Sequence, residues 1–340
     1  MNSIVLMAAA LTVGGVVNGP DAPLEPSMLN EVEHALARAE TRPDDPFGTN
    51  GLSRAEIARK VVSAQGANGR WTVNGRDETD EATAILRQVA GLPKPSTDPW
   101  QAWRGIRVGV LGDSITDRHQ LRSQRIYWDL LAERMGWEAD VFGISGHQWR
   151  HIPGQTDRMS RKMGDNVDAI FIFVGTNDYA GGVPLGRWYD ETPGTTNWFG
   201  RLCKLPRRTL NRDATTVRGR INIAMDKLKR RYPKSQIVLL TPLHRAFFQC
   251  SPTNIQPAED WPNPRGLHIE DYVNCTIEAG RIWSCPVIDL YAESTLTPMV
   301  PEFKGLFRSE KTDGLHPNSE GHRRIAELIY RRLPSLPLFR

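Results

Sequence analysis

The chain has 340 residues, of which 39% are hydrophobic and 24% charged, and its formal net charge is +4. These values are typical of a soluble globular protein with a substantial core, and the charge is too small to indicate a nucleic-acid-binding protein. The charge is unevenly spread, since residues 1–100 carry a net −4 and residues 101–340 a net +8. We therefore predict a small unit with its linker over residues 1–100 and a larger, mildly basic domain over residues 101–340. A basic surface suits an anionic glycan or a lipid headgroup, although solvated arginines on helix faces explain the same excess.

The N-terminus begins with an uncharged apolar run over residues 4–17, which is too short to span a bilayer. The run has the length of the apolar part of a signal peptide, and Val17-Asn18-Gly19 is a tolerable cleavage site. No Lys or Arg precedes it, and Pro20 is a poor first residue for a mature protein. We favour a retained, buried segment over a signal peptide and expect no transmembrane anchor.

The first hundred residues contain three amphipathic helical patterns: residues 27–40, a run that follows a capping box of Ser53 and Glu56, and residues 79–90. The proline-rich residues 92–99 are typical of a linker. The sequence therefore predicts a small helical N-terminal unit. Because it contains no catalytic candidate, we interpret it as a module for attachment or oligomerisation.

The remaining chain alternates apolar strands with amphipathic helices. Continuous apolar strands are typical of a parallel sheet covered on both faces. We therefore predict a three-layer α/β/α doubly wound sheet of about five strands, whose ligand binds at the carboxyl ends of the strands. The predicted strands are 106–111, 139–142, 169–174, 236–240 and 287–290, and the predicted helices lie near 123–135, 217–232, 269–282 and 325–333.

Four short motifs follow predicted strands or precede the last helix. A serine at a strand-to-helix turn has an exposed hydroxyl, and its N–H lies near a helix N-terminus. An asparagine at the edge of the sheet can donate to an oxyanion, and a loop histidine three residues after an aspartate can take a proton from a serine. Each motif alone is ordinary turn chemistry. They are Gly112-Asp113-Ser114-Ile115-Thr116, Gly143-Ile144-Ser145-Gly146, Gly175-Thr176-Asn177-Asp178 and Asp313-Gly314-Leu315-His316-Pro317.

In this order, the motifs resemble the SGNH hydrolase family, also called GDSL esterases and lipases, over residues 105–333. The resemblance implies a flavodoxin-like fold, an ester hydrolase and no metal or organic cofactor. It also implies a role for each motif residue: Ser114 as nucleophile, His316 as general base, Asp313 as its orienting partner, and the Ser114 N–H, the Gly146 N–H and the Asn177 side chain as the oxyanion hole.

The chain departs from the family pattern in two places. Val141 stands where the family often has an asparagine. The 136-residue separation of Asn177 and Asp313 is longer than a compact member needs, so we predict inserted loops after Asp178 and His244.

The first predicted insertion, residues 181–208, interleaves aromatic and basic side chains. Aromatic faces stack on sugar rings, and guanidinium groups bind carboxylates or phosphates. We therefore predict a small-molecule or glycan substrate, with short acyl groups such as acetyl removed from a carbohydrate. Alternatively, the aromatic residues only pack against the domain. The candidate substrate contacts are Asp113, Trp188, Tyr189 and Trp198.

Two other functions remain open from the sequence. One is a lipid esterase, general carboxylesterase or thioesterase, which would differ in its preference for acyl-chain length. The other is an inactive binding module on the same fold, although the intact motifs argue against it. His147 and His151 have a metal-binding spacing on a helix, but no third ligand accompanies them, and we expect no metal site. The four cysteines form no CxxC pair, and both disulfides and free thiols are compatible with their positions.

Overall fold

The computed structural model describes residues 45–66, 69–91, 98–119 and 125–338. The chain divides into two compact units between Asp98 and Pro99. Three features predicted from the sequence lie outside the described residues, wholly or in large part: the apolar run 4–17, the helix 27–40 and the linker 92–99. No helix of the described residues is long and apolar enough to cross a membrane.

The first unit packs two helices and a short hairpin around a small core. The predicted capping box is present: the Glu56 N–H donates to Ser53 Oγ at 3.3 Å, and the Ser53 N–H donates to Glu56 Oε2 at 2.9 Å. The two helices enclose buried side chains that include Val61, Trp71 and Ile85. The elements are α1 (Arg54–Ser63), β1 (Thr72–Val73), β2 (Arg76–Asp77) and α2 (Thr79–Val89).

The second unit alternates strands and helices, as predicted. Its elements, in chain order, are β3 (Arg107–Gly112), α3 (Tyr127–Met135), β4 (Glu138–Val141), α4 (Ile152–Met163), β5 (Ala169–Phe173), α5 (Thr176–Ala180), β6 (Tyr189–Trp198), β7 (Arg201–Leu210), α6 (Val217–Arg231), β8 (Gln236–Leu240), β9 (Phe248–Ser251), β10 (Asn254–Gln256), α7 (Ile269–Trp283), β11 (Val287–Ile288), α8 (Leu290–Glu293), β12 (Phe307–Ser309), β13 (Asp313–Pro317) and α9 (Ser319–Arg332).

The main sheet has five parallel strands in the order β4-β3-β5-β8-β11. This is the flavodoxin-like doubly wound order, in which the chain reverses direction across the sheet between its first and third strands. Here those strands are β3 and β5, whose register pairs Val108 with Ala169 and Gly112 with Phe173. The fold class predicted from the sequence is confirmed, and the reversal point lies where Ser114 follows β3.

Both faces of this sheet are buried, which explains the uninterrupted apolar strands. In β5, Phe171 and Phe173 pack on one side with α3 and α9. Ile170 and Ile172 point to the opposite side, which is covered by α4, α6 and α7. Successive side chains of a strand alternate between faces, so one apolar run serves two cores.

Two further segments form strands outside the main sheet. The segment after Asp178 forms the antiparallel hairpin β6–β7. The segment after His244 contributes β9 and β10 to a small antiparallel sheet in the order β10-β9-β13-β12. This sheet contains the motif of Asp313 and His316.

Candidate active site

Ser114 lies in a tight turn directly after β3. The N–H groups of Thr116 and Asp117 donate to the Asp113 carbonyl at 3.1 and 2.9 Å, and the Ile115 N–H donates to Asp113 Oδ1 at 3.0 Å. The described residues after Ser114 continue as a turn as far as His119, and α3 begins at Tyr127, close to the helix predicted near 123–135. The hydrogen bonds of this turn therefore orient the Ser114 backbone.

His316 contacts Ser114 across 202 positions of sequence. Its Nε2 lies 2.9 Å from Ser114 Oγ, and its Nδ1 lies 2.9 Å from Asp313 Oδ1. The predicted loop conformation of this motif is wrong: Asp313–Pro317 is the strand β13, and Asp313 pairs with Phe248 of β9. The Phe248 ring also packs edge-on against the His316 imidazole at 5.1 Å. Strand pairing therefore fixes the backbone that holds this histidine.

Asp313 is held in its ionised form. Burial raises its pKa, but the hydrogen bond and the charge of His316 outweigh burial, and the pKa lies below its ordinary value. The carboxylate also accepts the backbone N–H of His316 at 3.0 Å. A carboxylate beside Nδ1 favours the tautomer with its proton on Nδ1, which leaves Nε2 as an acceptor for the serine proton.

Gly146 and Asn177 come from neighbouring loops that the structure joins. Gly146 has φ +77°, a conformation that glycine adopts without strain. Asn177 Nδ2 donates to the carbonyl of His147, the residue after Gly146, at 3.0 Å. All four predicted motifs thus contribute to one end of the sheet.

Two buried polar residues that the sequence analysis missed hold these loops together. Asp117 Oδ2 accepts the Ser145 N–H at 2.9 Å, which links the serine turn to the Gly146 loop. Gln155 of α4 is fully buried and bonds both backbone groups of Gly112, at 2.9 and 2.7 Å. Neither residue belongs to a short motif, so the sequence offers no local signal for its role.

A buried ion pair supports the Asn177 loop. Asp178 is fully buried and accepts from Arg220 Nη1 at 2.9 Å and from the Trp149 N–H at 2.9 Å. Burial is the largest influence on the pKa of the Asp178 carboxyl and raises it to about 6, although the hydrogen bonds from Trp149 and Arg220 lower it. Asp178 therefore fixes the loop after β5 rather than facing a ligand.

A second buried guanidinium, that of Arg245, lies beside the loop that carries Asn177. Arg245 is 1% exposed, and its Nη1 donates to Thr176 Oγ1 at 3.1 Å. Its backbone N–H donates to Glu259 at 2.9 Å. Burial lowers the pKa of the guanidinium to about 10, which leaves it positively charged at neutral pH.

Comparison with known proteins decides the identity of this arrangement. A family model described as GDSL-like Lipase/Acylhydrolase matches residues 110–324. The chain belongs to this family. It is therefore a carboxylic ester hydrolase, as the four motifs predicted.

Solved structures agree with this assignment at the level of the fold. A protein from Lactobacillus plantarum is 24% identical, with a TM-score of 0.54, over 69% of this chain and 99% of that chain. A possible lipase from Chitinophaga pinensis DSM 2588 is also 24% identical, with a TM-score of 0.51, over 67% of this chain and 98% of that chain. No curated protein matches the hydrolase.

The predicted substrate contacts of the hydrolase lie in different environments. Asp113 is 1% exposed, and burial raises the pKa of its carboxyl to about 7. It stabilises the serine turn by accepting the Ile115 N–H. Trp188 packs beside α6 and α7, with its Nε1 donating to Glu278 at 2.6 Å, so for this residue the packing alternative fits the structure.

Tyr189 and Trp198 lie at opposite ends of β6. Tyr189 is half-buried at the base of the hairpin, with the Arg208 guanidinium 5.7 Å from its ring. Trp198 lies at the far end and is 60% exposed. The two aromatic residues therefore belong to separate surfaces of the hydrolase.

A small cavity of about 200 Å³ lies beside β13. Gly314, two residues before His316, contributes to its wall together with Ala246. The wall is mostly apolar, and Lys304 and Glu310 are its charged members. Ligand pockets for drug-sized molecules are usually about 300–1,000 Å³, so this cavity suits a small group.

His147 and His151 are candidate metal ligands by their spacing, and the cysteines are candidate disulfide partners. The His147 and His151 rings stack at 4.2 Å, and no cluster of three metal-ligating side chains occurs in the described parts of the chain. The four cysteines are free thiols: Cys203, Cys250, Cys275 and Cys285.

Proposed function

We propose that this hydrolase removes short acyl groups, acetyl above all, from a carbohydrate, with Ser114 as nucleophile, His316 as general base and Asp313 as its orienting partner. One observation carries the catalytic part of the proposal. His316 lies between the two other side chains, 2.9 Å from Ser114 Oγ and 2.9 Å from Asp313 Oδ1. A serine bonded to a base that is itself oriented by a carboxylate is an activated nucleophile.

In the first step, Ser114 Oγ attacks the ester carbonyl while His316 Nε2 takes the hydroxyl proton. Negative charge develops on the carbonyl oxygen, and the N–H groups of Ser114 and Gly146 and the Asn177 amide donate to it. An amide nitrogen has two N–H groups, so the bond to His147 leaves Asn177 a second donor for the oxyanion. One such donor typically lowers the barrier by about 3 kcal/mol.

In the second step, the tetrahedral intermediate collapses and the C–O bond to the alcohol breaks. The imidazolium of His316 gives its proton to the leaving alkoxide, and the acyl group stays on Ser114. Water then attacks the acyl-enzyme with His316 again as base, which releases the carboxylic acid and restores the serine hydroxyl. The partly buried carboxylate of Asp313 stabilises the imidazolium in both steps.

We place the short acyl group in the cavity beside β13, because Gly314 in its wall lies two residues before His316. Its volume of about 200 Å³ and its mostly apolar wall suit a small hydrocarbon group. The preference for a carbohydrate alcohol rests on the base of the hairpin, where the half-buried ring of Tyr189 lies 5.7 Å from the exposed guanidinium of Arg208. Such pairs stack on and hydrogen-bond sugars with acidic groups.

Hydrolysis of p-nitrophenyl acetate, butyrate and octanoate tests the acyl preference and the nucleophile together. We expect the acetate ester to be cleaved fastest and Ser114→Ala to lower kcat by at least about 10⁴-fold. Ser145→Ala is the matched control, because it removes a neighbouring serine hydroxyl that has no catalytic role in the proposal. An active Ser114→Ala enzyme contradicts the mechanism, and a preference for octanoate favours a lipid esterase.

Release of acetate from acetylated xylan tests whether the alcohol part of the substrate ester is a carbohydrate. We expect the wild-type enzyme to deacetylate this polymer and Tyr189→Ala to raise KM for it, with the rate on p-nitrophenyl acetate as reference. Acetyl-thioesters and triacylglycerols are the comparison substrates. If either is cleaved with a higher kcat/KM than the xylan, the carbohydrate proposal is wrong while the assignment of Ser114 is untouched.

A further inference from the structure

The hairpin β6–β7 ends in a strained loop. Its two loop residues, Phe199 and Gly200, have φ of +50° and +80°, the pattern of a type I′ turn. Gly and Asn suit both positions, whereas positive φ is unfavourable for a bulky aromatic residue. Phe199 is also 94% exposed, so burial does not offset this strain. A strained, exposed aromatic residue points to a functional role.

Three other large apolar side chains are exposed within six residues of Phe199 along the chain. Trp198, Leu202 and Leu205 are 60%, 80% and 46% exposed. Residues 197–205, which we call the tip, thus expose four hydrocarbon-rich side chains on a two-stranded ribbon. Soluble proteins seldom expose such a group of side chains unless it meets a partner.

All charged side chains in the outer part of the hairpin are basic. Residues 192–207 contain Arg201, Lys204 and Arg207 and no acidic residue. Glu191 lies nearer the base of the hairpin, where it accepts from Arg208 Nε at 2.7 Å. The tip therefore combines apolar side chains with a net positive charge, which complements an anionic partner.

Two observations narrow the choice of partner. Pro193 and Pro206 oppose each other in the middle of the hairpin, and because proline lacks an N–H, strand pairing with a second copy is interrupted there. The Trp198 and Phe199 rings are perpendicular, at 87°, so they present no common flat face to a sugar. Leucine side chains also offer no hydrogen bonds to hydroxyl groups.

We propose that the tip inserts into the surface of an anionic lipid bilayer. Trp, Phe and Leu side chains bury themselves at the boundary of headgroups and acyl chains, and Lys and Arg bind the lipid phosphates beside them. The contact places the hydrolase at a membrane surface and is separate from the chemistry at Ser114. It also accounts for the exposed phenylalanine in a turn that favours asparagine.

Co-sedimentation with vesicles tests this contact. We expect the full-length chain to bind vesicles of phosphatidylcholine mixed with phosphatidylserine, and to bind pure phosphatidylcholine far less. The decisive variant is Phe199→Asn, because Asn-Gly is the preferred sequence of a type I′ turn. It should keep or raise the melting temperature while lowering vesicle binding by about tenfold. Trp261→Ala, which removes a 64% exposed tryptophan elsewhere, is the matched control and should bind like the wild type.

Charge reversal tests the anionic part of the partner. Arg201→Glu with Lys204→Glu should abolish binding, and added salt should weaken wild-type binding. Lys234→Glu with Arg281→Glu, an equal charge change at exposed positions outside the hairpin, should have little effect. Equal binding to neutral vesicles, full binding by Phe199→Asn, or no vesicle binding by the wild type would each overturn the proposal. Two other outcomes would also overturn it. In both, the tip variants still bind vesicles, but they lose either retention on acetylated xylan or a dimer that the wild type forms in solution.

Discussion

The orientation of one imidazole controls the proposed chemistry at the scale of single residues. Asp313 lies 2.9 Å from His316 Nδ1, and the serine hydroxyl occupies the other nitrogen. Asp313→Asn keeps the size of the side chain but places an N–H donor where an acceptor is needed. The imidazole then carries its proton on Nε2, which can no longer accept the proton of Ser114.

We therefore expect Asp313→Asn to lower kcat for p-nitrophenyl acetate by about 10³–10⁴-fold. KM should change little, because the carboxylate touches the histidine and not the ester. Circular dichroism should show an unchanged fold. A kcat within tenfold of the wild type would contradict the orienting role of Asp313.

Asp113 provides a second test on a single residue, namely of how burial shifts the pKa of a carboxyl group. Burial is the main cause that raises its pKa to about 7. An acid whose folded-state pKa is raised holds its proton in the folded state at pH values where the unfolded state has lost it. Wild-type stability should therefore fall as pH rises from about 4 to about 7 through this group. Asparagine is neutral throughout and can still accept the Ile115 N–H.

We expect Asp113→Asn to gain stability relative to the wild type across that pH window, by up to about 4 kcal/mol at its upper end. Urea unfolding of both proteins at several pH values measures the difference. A difference that does not grow with pH would show that the carboxyl is not held neutral by burial. A raised KM with a flat pH dependence would instead support the predicted substrate contact.

At the scale of secondary-structure elements, the turn after β3 leaves no room for a side chain at Gly112. A Cβ built there collides with the Thr116 side chain, and a Cβ at Gly143 lies 2.8 Å from the same residue. Gly112→Ala should therefore displace the turn that carries Ser114. We expect a stability loss of about 1–3 kcal/mol and a fall in kcat of about 100-fold.

Gly154→Ala is the control for this substitution. It lies in α4 with open space around a new Cβ, and alanine favours a helix. This variant should gain about 0.5–1 kcal/mol and keep wild-type activity. Thermal unfolding and esterase rates measured on both variants separate crowding at the turn from a general effect of alanine.

Local pattern and tertiary pairing explain which elements the sequence predicted. The strand Gln236–Leu240 and the start of α7 at Ile269 agree with the prediction, because apolar runs and helical periodicity are local signals. Asp313–Pro317 contains Asp, Gly and Pro, which are typical of turns, yet pairing with Phe248 makes it a strand. The hairpin around Asn74-Gly75 carries a clear local signal that the sequence analysis missed.

At the scale of the whole molecule, the sequence predicted the fold class because about five strands that alternate with helices leave few topologies. It also predicted which motifs would meet, since the carboxyl ends of parallel strands share one edge of the sheet. Gln155 and Arg245 were not predictable, because a buried polar side chain looks like any other polar residue until its distant partners are known. Their hydrogen bonds reach Gly112 and Thr176, which are 43 and 69 residues away.

The division of the chain between Asp98 and Pro99 leads to a prediction about the role of its first unit. All residues of the proposed mechanism lie beyond this boundary, and we propose that the first unit serves attachment or oligomerisation. A chain that begins at Pro99 should then keep wild-type kcat and KM for p-nitrophenyl acetate while its mass in solution, measured by light scattering, or its retention on cell-surface material changes. If the shortened enzyme is soluble and active with an unchanged oligomeric state and unchanged retention, this role is wrong. If it loses activity while remaining folded, the first unit contributes to catalysis, and the boundary at Asp98 does not separate two functions.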